Sequence, residues 1–331
     1  MSDDRLTYES AGVSIDEQEK AIALFKDAVK ATYTREVLSD VGSFGGLFSA
    51  CFEGLSEPVL VSSIDGVGTK TKLATWLNRF DGLGADIVNH CTNDVLVQGA
   101  RPIFFLDYFA ASKMNAEMAA AFVKSAATAC KENGCALIGG ELAEMPGVYA
   151  GGECDIVGCI VGVVDRVKVL PRDVQEGDSI IGLPSTGLHT NGYSLARKAL
   201  FEKGGYHPED SIGALGESIG EALLRPHKSY LGELWPLLES DRIHALAHVT
   251  GGGLVENVPR VLPEGLRAEI EYSSWTPPAI FDLIQSAGDI PDEEMRRSFN
   301  LGVGMVVICD DPDAVLRDLG SGFRVGTVVK A

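Results

Sequence analysis

The stretch Pro58-Val-Leu-Val-Ser-Ser-Ile runs straight into Asp65-Gly-Val-Gly-Thr-Lys70, and this change from a strand-length apolar run to a polar, glycine-bearing corner recurs along the chain. Pro102-Ile-Phe-Phe-Leu-Asp-Tyr, Cys135-Ala-Leu-Ile-Gly-Gly, Cys154–Val164, Ser179-Ile-Ile-Gly-Leu-Pro and Gly302–Cys309 are of similar character. They read as buried strands. Helical patterns separate them. Residues 14–32 place Ile22, Phe25 and Val29 on one face, with Asp16 and Glu19 at capping-box spacing. From Gly84 a mixed helix carries Asp86, Asn89, Asn93 and Asp94, Ala116–Asn133 is alanine-rich and ends near Gly134, and Tyr193–Lys203 forms a further helix. Strands alternating with helices throughout imply an α/β chain rather than an all-β one.

At 331 residues the chain exceeds the size at which one hydrophobic core stops growing, so two domains or one large α/β domain are expected, and a domain boundary is placed near residue 170, where the apolar pattern lapses at a Pro-Arg-Asp turn. The expected domains are residues 1–170 and 171–331. The 28 Lys and Arg against 47 Asp and Glu give a net charge of −19, which repels a nucleic-acid backbone and an anionic membrane surface. Neither nucleic acid nor membrane is an expected partner. A small phosphorylated substrate remains compatible, because backbone N–H groups or a bound cation overcome the global field locally. Seven cysteines without a Cys-x-x-Cys pair fit buried thiols in a reducing compartment. Met1-Ser-Asp-Asp-Arg lacks a basic region followed by an apolar stretch, and no 18 apolar residues run together, so a cytoplasmic location is expected.

Three acidic corners carry the first chemical signal: Asp65 after a strand, Asp94 within a helix beside Asn93, and Glu141 after the Gly139-Gly140 strand end. Carboxylates at strand ends collect at one rim of a sheet, and converging carboxylates repel one another unless a hard cation such as Mg²⁺ lies among them. A lone Asp at a loop is more often a turn former or a helix cap. Asp65-Gly-Val-Gly-Thr-Lys lacks the Walker spacing, and Val41-Gly-Ser-Phe-Gly-Gly does not fit a dinucleotide fingerprint. Glycines in both loops still let backbone N–H groups approach phosphates, although tight turns alone account for them equally well.

In the second half, Ser185-Thr-Gly-Leu-His-Thr-Asn-Gly-Tyr-Ser concentrates hydroxyls, an imidazole and an amide before a helix, and His189 and Asn191 exceed what one cap requires. His248-Val-Thr-Gly-Gly-Gly-Leu offers three glycine N–H groups at a helix start, an arrangement suited to an anion. His248, in an apolar stretch, is equally a candidate core histidine. His90, His207, His227 and His244 are scattered and receive no role. No serine elbow and no His-Glu-x-x-His zinc signature occurs.

The blocks become specific in combination. Tyr8-x-x-Ala-Gly-Val-x-Ile, Ser63-Ile-Asp-Gly-Val-Gly-Thr-Lys, Asn93-Asp-Val-Leu-Val-Gln-Gly-Ala, Phe104-Phe-Leu-Asp-Tyr, Gly139-Gly-Glu-Leu-Ala-Glu-Met-Pro-Gly-Val-Tyr, Gly187-Leu-His-Thr-Asn-Gly-Tyr-Ser-Leu, His248-Val-Thr-Gly-Gly-Gly-Leu and Phe299-Asn-Leu-Gly-Val-Gly-Met follow in order. From about Tyr8 to Val328 the chain thereby resembles the aminoimidazole ribonucleotide synthetase family of the PurM-like superfamily. The family usually has Thr where this chain has Leu142, and commonly Met where it has Leu301. Leu142 adjoins Glu141, so the first swap touches the surroundings of a proposed charge carrier.

The resemblance implies a two-domain PurM-like fold of mixed sheets flanked by helices, the first domain pairing through its sheet in a homodimer and the second completing the active-site cleft. It implies ATP-dependent cyclisation of formylglycinamidine ribonucleotide to aminoimidazole ribonucleotide, with ADP and phosphate released. Carried onto matching positions, it assigns Asp65, Asp94 and Glu141 to Mg²⁺ and Mg-ATP, and places Lys26, Gly45, Gly46, Gly68, Thr69 and Lys70 near the nucleotide. His189 and Asn191, with Asp65, become the catalytic candidates, and Thr250, Gly251, Gly252 and Gly253 an anion site for the substrate. Rival readings are another PurM-like ATP-using enzyme, of the small-molecule kinase or selenophosphate synthetase type, and a catalytically silent nucleotide-binding paralogue. Selenophosphate synthetases expect a reactive Cys or selenocysteine in an N-terminal loop, whereas no cysteine precedes Cys51.

Overall fold

The computed structural model describes residues 8–331, so Met1-Ser-Asp-Asp-Arg, on which the leader reading rests, lies outside the described residues. The chain forms two compact units: the first takes the chain through Glu53 with Ser62–Cys91 and Pro102–Val161, and the second takes Gly54–Val61, Thr92–Arg101 and Gly162–Ala331.

A four-stranded sheet is ordered β1-β4-β2-β3, where β1 is Pro58–Gly66, β2 Arg101–Ala111, β3 Ala136–Glu144 and β4 Cys154–Asp165. Strands β2 and β3 run parallel, with Asp107 opposite Gly140 and Tyr108 opposite Glu141. Glu141 therefore lies inside a strand and not past its end, because the Gly-Gly pair continues the ladder beside β2. That is a correction to the sequence reading. A second correction concerns β1, expected to be buried: it is an edge strand, and Leu60 and Ile64 are 61% and 70% exposed. An apolar run shows that a strand exists, but its place in the sheet decides what covers it.

The helices of this half are α1 (Ile15–Lys30), α2 (Lys70–Leu77), α3 (Leu83–Leu96) and α4 (Ala116–Glu132). Helix α1 is capped by Ser14, whose hydroxyl accepts from Glu17 N at 3.3 Å, in place of the Asp16–Glu19 pair that the spacing suggested. Its apolar stripe of Ala21, Phe25 and Val29 is buried, and α1 packs against α4 and β3. Phe109 of β2 stacks on Phe122 of α4 at 5.5 Å. Burying side chains of this size contributes roughly 1.5–3 kcal/mol each.

The second unit is built on a five-stranded sheet ordered β8-β10-β5-β11-β9. Its strands are β5 (Ser179–Pro184), β8 (Ala245–His248), β9 (Leu266–Ile270), β10 (Val303–Cys309) and β11 (Phe323–Lys330), while β6 (Ser211–Ile212) and β7 (Glu217–Ser218) form a short separate ladder. Every pairing in the large sheet is antiparallel. Strand β10 is buried along its full length because both of its faces are covered. Ile181, Leu183, Met305 and Val307 pack with Tyr230, Leu234 and Leu237 on one side. Ile180, Val306, Ile308 and Val325 pack with Leu254 and Val258 on the other. The expected helix from Tyr193 to Lys203 is α-helical only through Arg197 and then widens into a π-type turn over Lys198–Lys203. No disulfide joins any of the seven cysteines, five of which are buried. No helix among the described residues is long and apolar enough to cross a membrane.

Candidate functional site

Strand β5 ends at Pro184, and the polar loop that follows turns back over the sheet. His189 holds φ +62°, in the left-handed region sparsely used by non-glycine residues. This turn buries its ring, which stacks on His227 with centroids 3.9 Å apart. Thr186 N donates to His189 Nε2 at 3.2 Å, which assigns the ring proton to Nδ1. Space for the ring comes from Gly304: a Cβ there would lie 2.5 Å from His189 Cε1 and 2.1 Å from the Tyr230 hydroxyl. Gly304 also falls where the register of β10 against β5 shifts between Val303 and Met305, a bulge that aims backbone and side chains at a site.

His227 is the centre of this region, although the sequence analysis gave it no role. Its Nδ1 is 3.3 Å from Thr190 Oγ1, and its Nε2 is 2.9 Å from Nε2 of His248 at the end of β8. Nδ1 of His248 is in turn 2.8 Å from Asp94 Oδ1. One assignment of protons satisfies the chain: Thr190 O–H donates to His227, His227 Nε2–H to His248, and His248 Nδ1–H to the Asp94 carboxylate. His248 is thus both buried and partnered by a predicted site residue. Beside Asp94, Asn93 pins the segment that carries His227 by donating to Lys228 O at 2.8 Å and accepting from Tyr230 N at 3.0 Å. The signal missed in the sequence is spatial: His227 and His248 stand 21 residues apart and meet only when the sheet forms.

Asn191 lies beside the triple-glycine loop, since a Cβ on Gly251 would be 3.4 Å from its Oδ1. Asn257 holds that loop from inside by donating to the carbonyls of Gly251 at 3.2 Å and Gly253 at 2.8 Å. Thr250 Oγ1 donates to Asn257 Oδ1 at 3.3 Å. Gly252 at φ +97° and Gly253 at φ +60° turn their N–H groups in a way a side chain would strain. His189, Asn191 and Thr250–Gly253, predicted from separate motifs, are therefore gathered with Asp94 in one unit.

In the first unit, the corner after β1 is strapped to α3 at two points one helical turn apart. His90 Nε2 meets Asp65 Oδ2 at 2.8 Å, and Lys70 Nζ meets Asp86 Oδ1 at 2.8 Å. His90, like His227, belongs to the histidines given no role. Lys70, expected beside the nucleotide, is fully buried; desolvation lowers its pKa, and the charge of Asp86 opposes that shift. Gly68 at φ +67° and Thr69 lead into α2, whose cap position makes no side-chain bond to the first turn.

A cavity of about 260 Å³ opens between α1, β3 and the Gly42–Ser43 loop. Glu141 and Leu142 line it, as do Asp107 and Tyr33, and the Leu142 carbonyl accepts from Gln18 Nε2 at 3.3 Å. Burial pushes the Asp107 carboxyl up to about 7, opposed by a bond from its own backbone N–H. Asp40, at the mouth, is held low by a hydrogen bond from Lys30 at 2.8 Å, with the nearby charge of Lys26 contributing. Gly45 and Gly46 are exposed, and a Cβ on Gly46 would press on Ile138 at 2.7 Å.

The sequence model described as AIR synthase related protein, N-terminal domain, matches residues 49–164, and that of AIR synthase related protein, C-terminal domain, matches residues 175–331. The chain is 47% identical to a phosphoribosylformylglycinamidine cyclo-ligase of Alkaliphilus metalliredigens over 94% of its own length and 90% of the relative's. It is 50% identical to one of Geotalea daltonii over 100% of its length and 97% of the relative's. The chain belongs to the phosphoribosylformylglycinamidine cyclo-ligase family. Among solved structures the fold is shared with thiamine-monophosphate kinase from Stenotrophomonas maltophilia, at TM-score 0.65 and 19% identity over 93% of this chain and 94% of that one. It is shared equally with E. coli HypE, at TM-score 0.65 and 19% identity over 95% and 91%. The family's fold is therefore PurM-like, and the block-by-block resemblance and the relatives agree on one family within it.

Proposed function

We propose that the chain is an ATP-dependent ligase of purine biosynthesis that closes formylglycinamidine ribonucleotide to aminoimidazole ribonucleotide. The observation that carries this reading is identity of 47% to 50% to relatives named for that reaction along nearly the whole chain. One structure that shares the fold, at TM-score 0.59, is a complex of AaThiL with AMPPCP and TMP, which supports a nucleotide as co-substrate. The formyl oxygen attacks the γ-phosphorus of ATP and ADP leaves; the ring-forming nitrogen then attacks the activated carbon, loses a proton and expels phosphate. Such chemistry needs alignment and charge neutralisation more than a covalent nucleophile.

Asp65, Asp94 and Glu141, as the resemblance assigns them, would offer magnesium hard oxygen donors, and magnesium would neutralise phosphate charge. His189 and Asn191 align the transferring group, and the Thr250–Gly253 loop receives a substrate phosphate through backbone N–H groups. Lys26 and the Gly42–Gly46 loop serve the nucleotide, with Gly68 and Thr69 at the corner that Lys70 supports from beneath. Residues 1–170 act as the nucleotide-binding and dimer-forming domain, and 171–331 as the second α/β domain. The protein works in the cytoplasm on a small molecule. A homodimer is supported by the apolar, exposed edge of β1, where Ile64 is 70% exposed. Sedimentation is expected to give about twice the 35.2 kDa chain mass, and a fully active monomer would refute that part.

The decisive experiment labels the formyl oxygen of the substrate. The label is expected in inorganic phosphate after ring closure. Its appearance in water would exclude the phosphorylated intermediate.

A further inference from the structure

The cavity under α1 is smaller than the roughly 300–1,000 Å³ of a pocket that encloses a whole small ligand, so it suits one ring system. Phe25, Val29, Val123 and Leu137 give it apolar walls, as a flat aromatic ring requires. Three carboxyl groups, of Asp40, Asp107 and Glu141, are among the lining residues, and no lysine, arginine or histidine is among the described residues that line it. A phosphate is repelled from such a lining, and the neutral end of a nucleotide is not. Two polar groups mark the interior. The Tyr33 hydroxyl is buried without a hydrogen-bond partner among the described residues, which is costly unless a ligand supplies one. The Asp107 side chain stands over Gly140, where any Cβ would come within 2.1 Å of its Oδ1. Gly140 thus leaves room for the carboxyl, which is an acceptor in a largely apolar slot.

We propose that this slot binds the purine base of the nucleotide and that Asp107 selects it by accepting a hydrogen bond from the exocyclic amine, with Tyr33 bonding a ring nitrogen. This rests on the reading of the chain as an ATP user and names the part of the co-substrate that the first unit recognises. An N–H aimed at Asp107 favours its ionised form and offsets part of the burial that raises it.

The test compares ATP with purine riboside triphosphate, which lacks the exocyclic amine, by calorimetry with magnesium present and separately by turnover. For the unaltered protein, ATP is expected to bind roughly ten- to a hundredfold tighter than the analogue, the worth of one hydrogen bond to a charged acceptor. Asp107→Ala should weaken ATP to the level of the analogue and leave the analogue's affinity unchanged. Tyr33→Phe should weaken both together by a smaller factor. Equal binding of the two nucleotides by the unaltered protein would overturn the proposal, and this comparison needs no variant to fold. Equal weakening of both by Asp107→Ala, in a variant whose thermal midpoint is retained, would overturn it as well. Binding is read independently of turnover: amine-dependent ATP binding without ring closure would refute the functional reading alone.

Discussion

The slot under α1 and the histidine region beside β10 bury polar groups in opposite ways. In the first, Asp107 and the Tyr33 hydroxyl face a hollow, and the carboxyl is held at about 7 by burial with little local compensation. In the second, His189, His227 and His248 are each buried yet linked, one ring to the next and onward to Thr190 and Asp94, by contacts of 2.8 to 3.9 Å. A buried polar group without protein partners is costly and is relieved by a ligand, whereas the hydrogen-bonded chain Thr190–His227–His248–Asp94 is already satisfied and fixes the orientation of its members. The first arrangement suits binding and the second suits alignment of a reacting group. Damage to the two regions should therefore separate into affinity and rate.

The sharpest break is His189→Ala. Removing an aligning ring is expected to lower kcat by roughly 10²–10³, as losing a preorganised donor commonly does, and to slow product formation and phosphate release together. KM for ATP should stay within about twofold. A variant with normal kcat and raised KM would erase the distinction between the regions.

The next test concerns stability against pH. The native Asp107 holds its proton to about pH 7, while an unfolded Asp releases it near about 3.9. Between those values the native state binds more protons than the unfolded one, so this group's contribution to stability falls as pH rises from about 4 to about 7 and is flat above. Asp107→Asn has no such titration. Its stability relative to the unaltered protein should climb across that window and level off above it, by about 2–4 kcal/mol in total. Cys130, which the Asp107 charge helps to push upward together with burial, does not titrate in this range. Parallel unfolding curves for the two proteins at pH 5 and pH 8 would show that ligand-free Asp107 is not held up by burial.

What the sequence discloses differs between the same two regions. Motifs containing His189, Asn191 and the Gly251–Gly253 loop are dense in polar residues and stand out in one dimension. His227 does not, because its neighbours Pro226 and Lys228 carry no signal and its partners arrive through strand pairing. The slot is still less visible. Asp107 sits in Phe104-Phe-Leu-Asp-Tyr, which reads correctly as a strand, but its aim toward a cavity follows from Gly140 lying opposite it in β3. The strands β5 and β10 are legible from their apolar runs, α1 from its helical periodicity and α4 from an alanine-rich stretch that ends near Gly134. The edge position of β1 was not, since exposure depends on which strand lies beside it.

The smallest test asks whether α1 is a firm wall of the slot, and it uses two matched helix caps. Ser14 caps α1, and its N–H also donates to Glu144 Oε2 at 2.6 Å. In the second unit, Ser218 caps Ile219–Leu224 in a full capping box with Glu221. Ser→Ala at either position removes one side-chain acceptor from a first turn and should cost about 1 kcal/mol of stability. The backbone bond to Glu144 survives the change, so α1 should loosen at its first turn and stay docked. Ser14→Ala is then expected to raise KM for ATP by less than about threefold with kcat unchanged, and Ser218→Ala to leave KM for ATP as it was. Equal effects on KM from both caps would mean that nucleotide affinity reports global stability, and the assignment of binding to the slot would lose its structural basis.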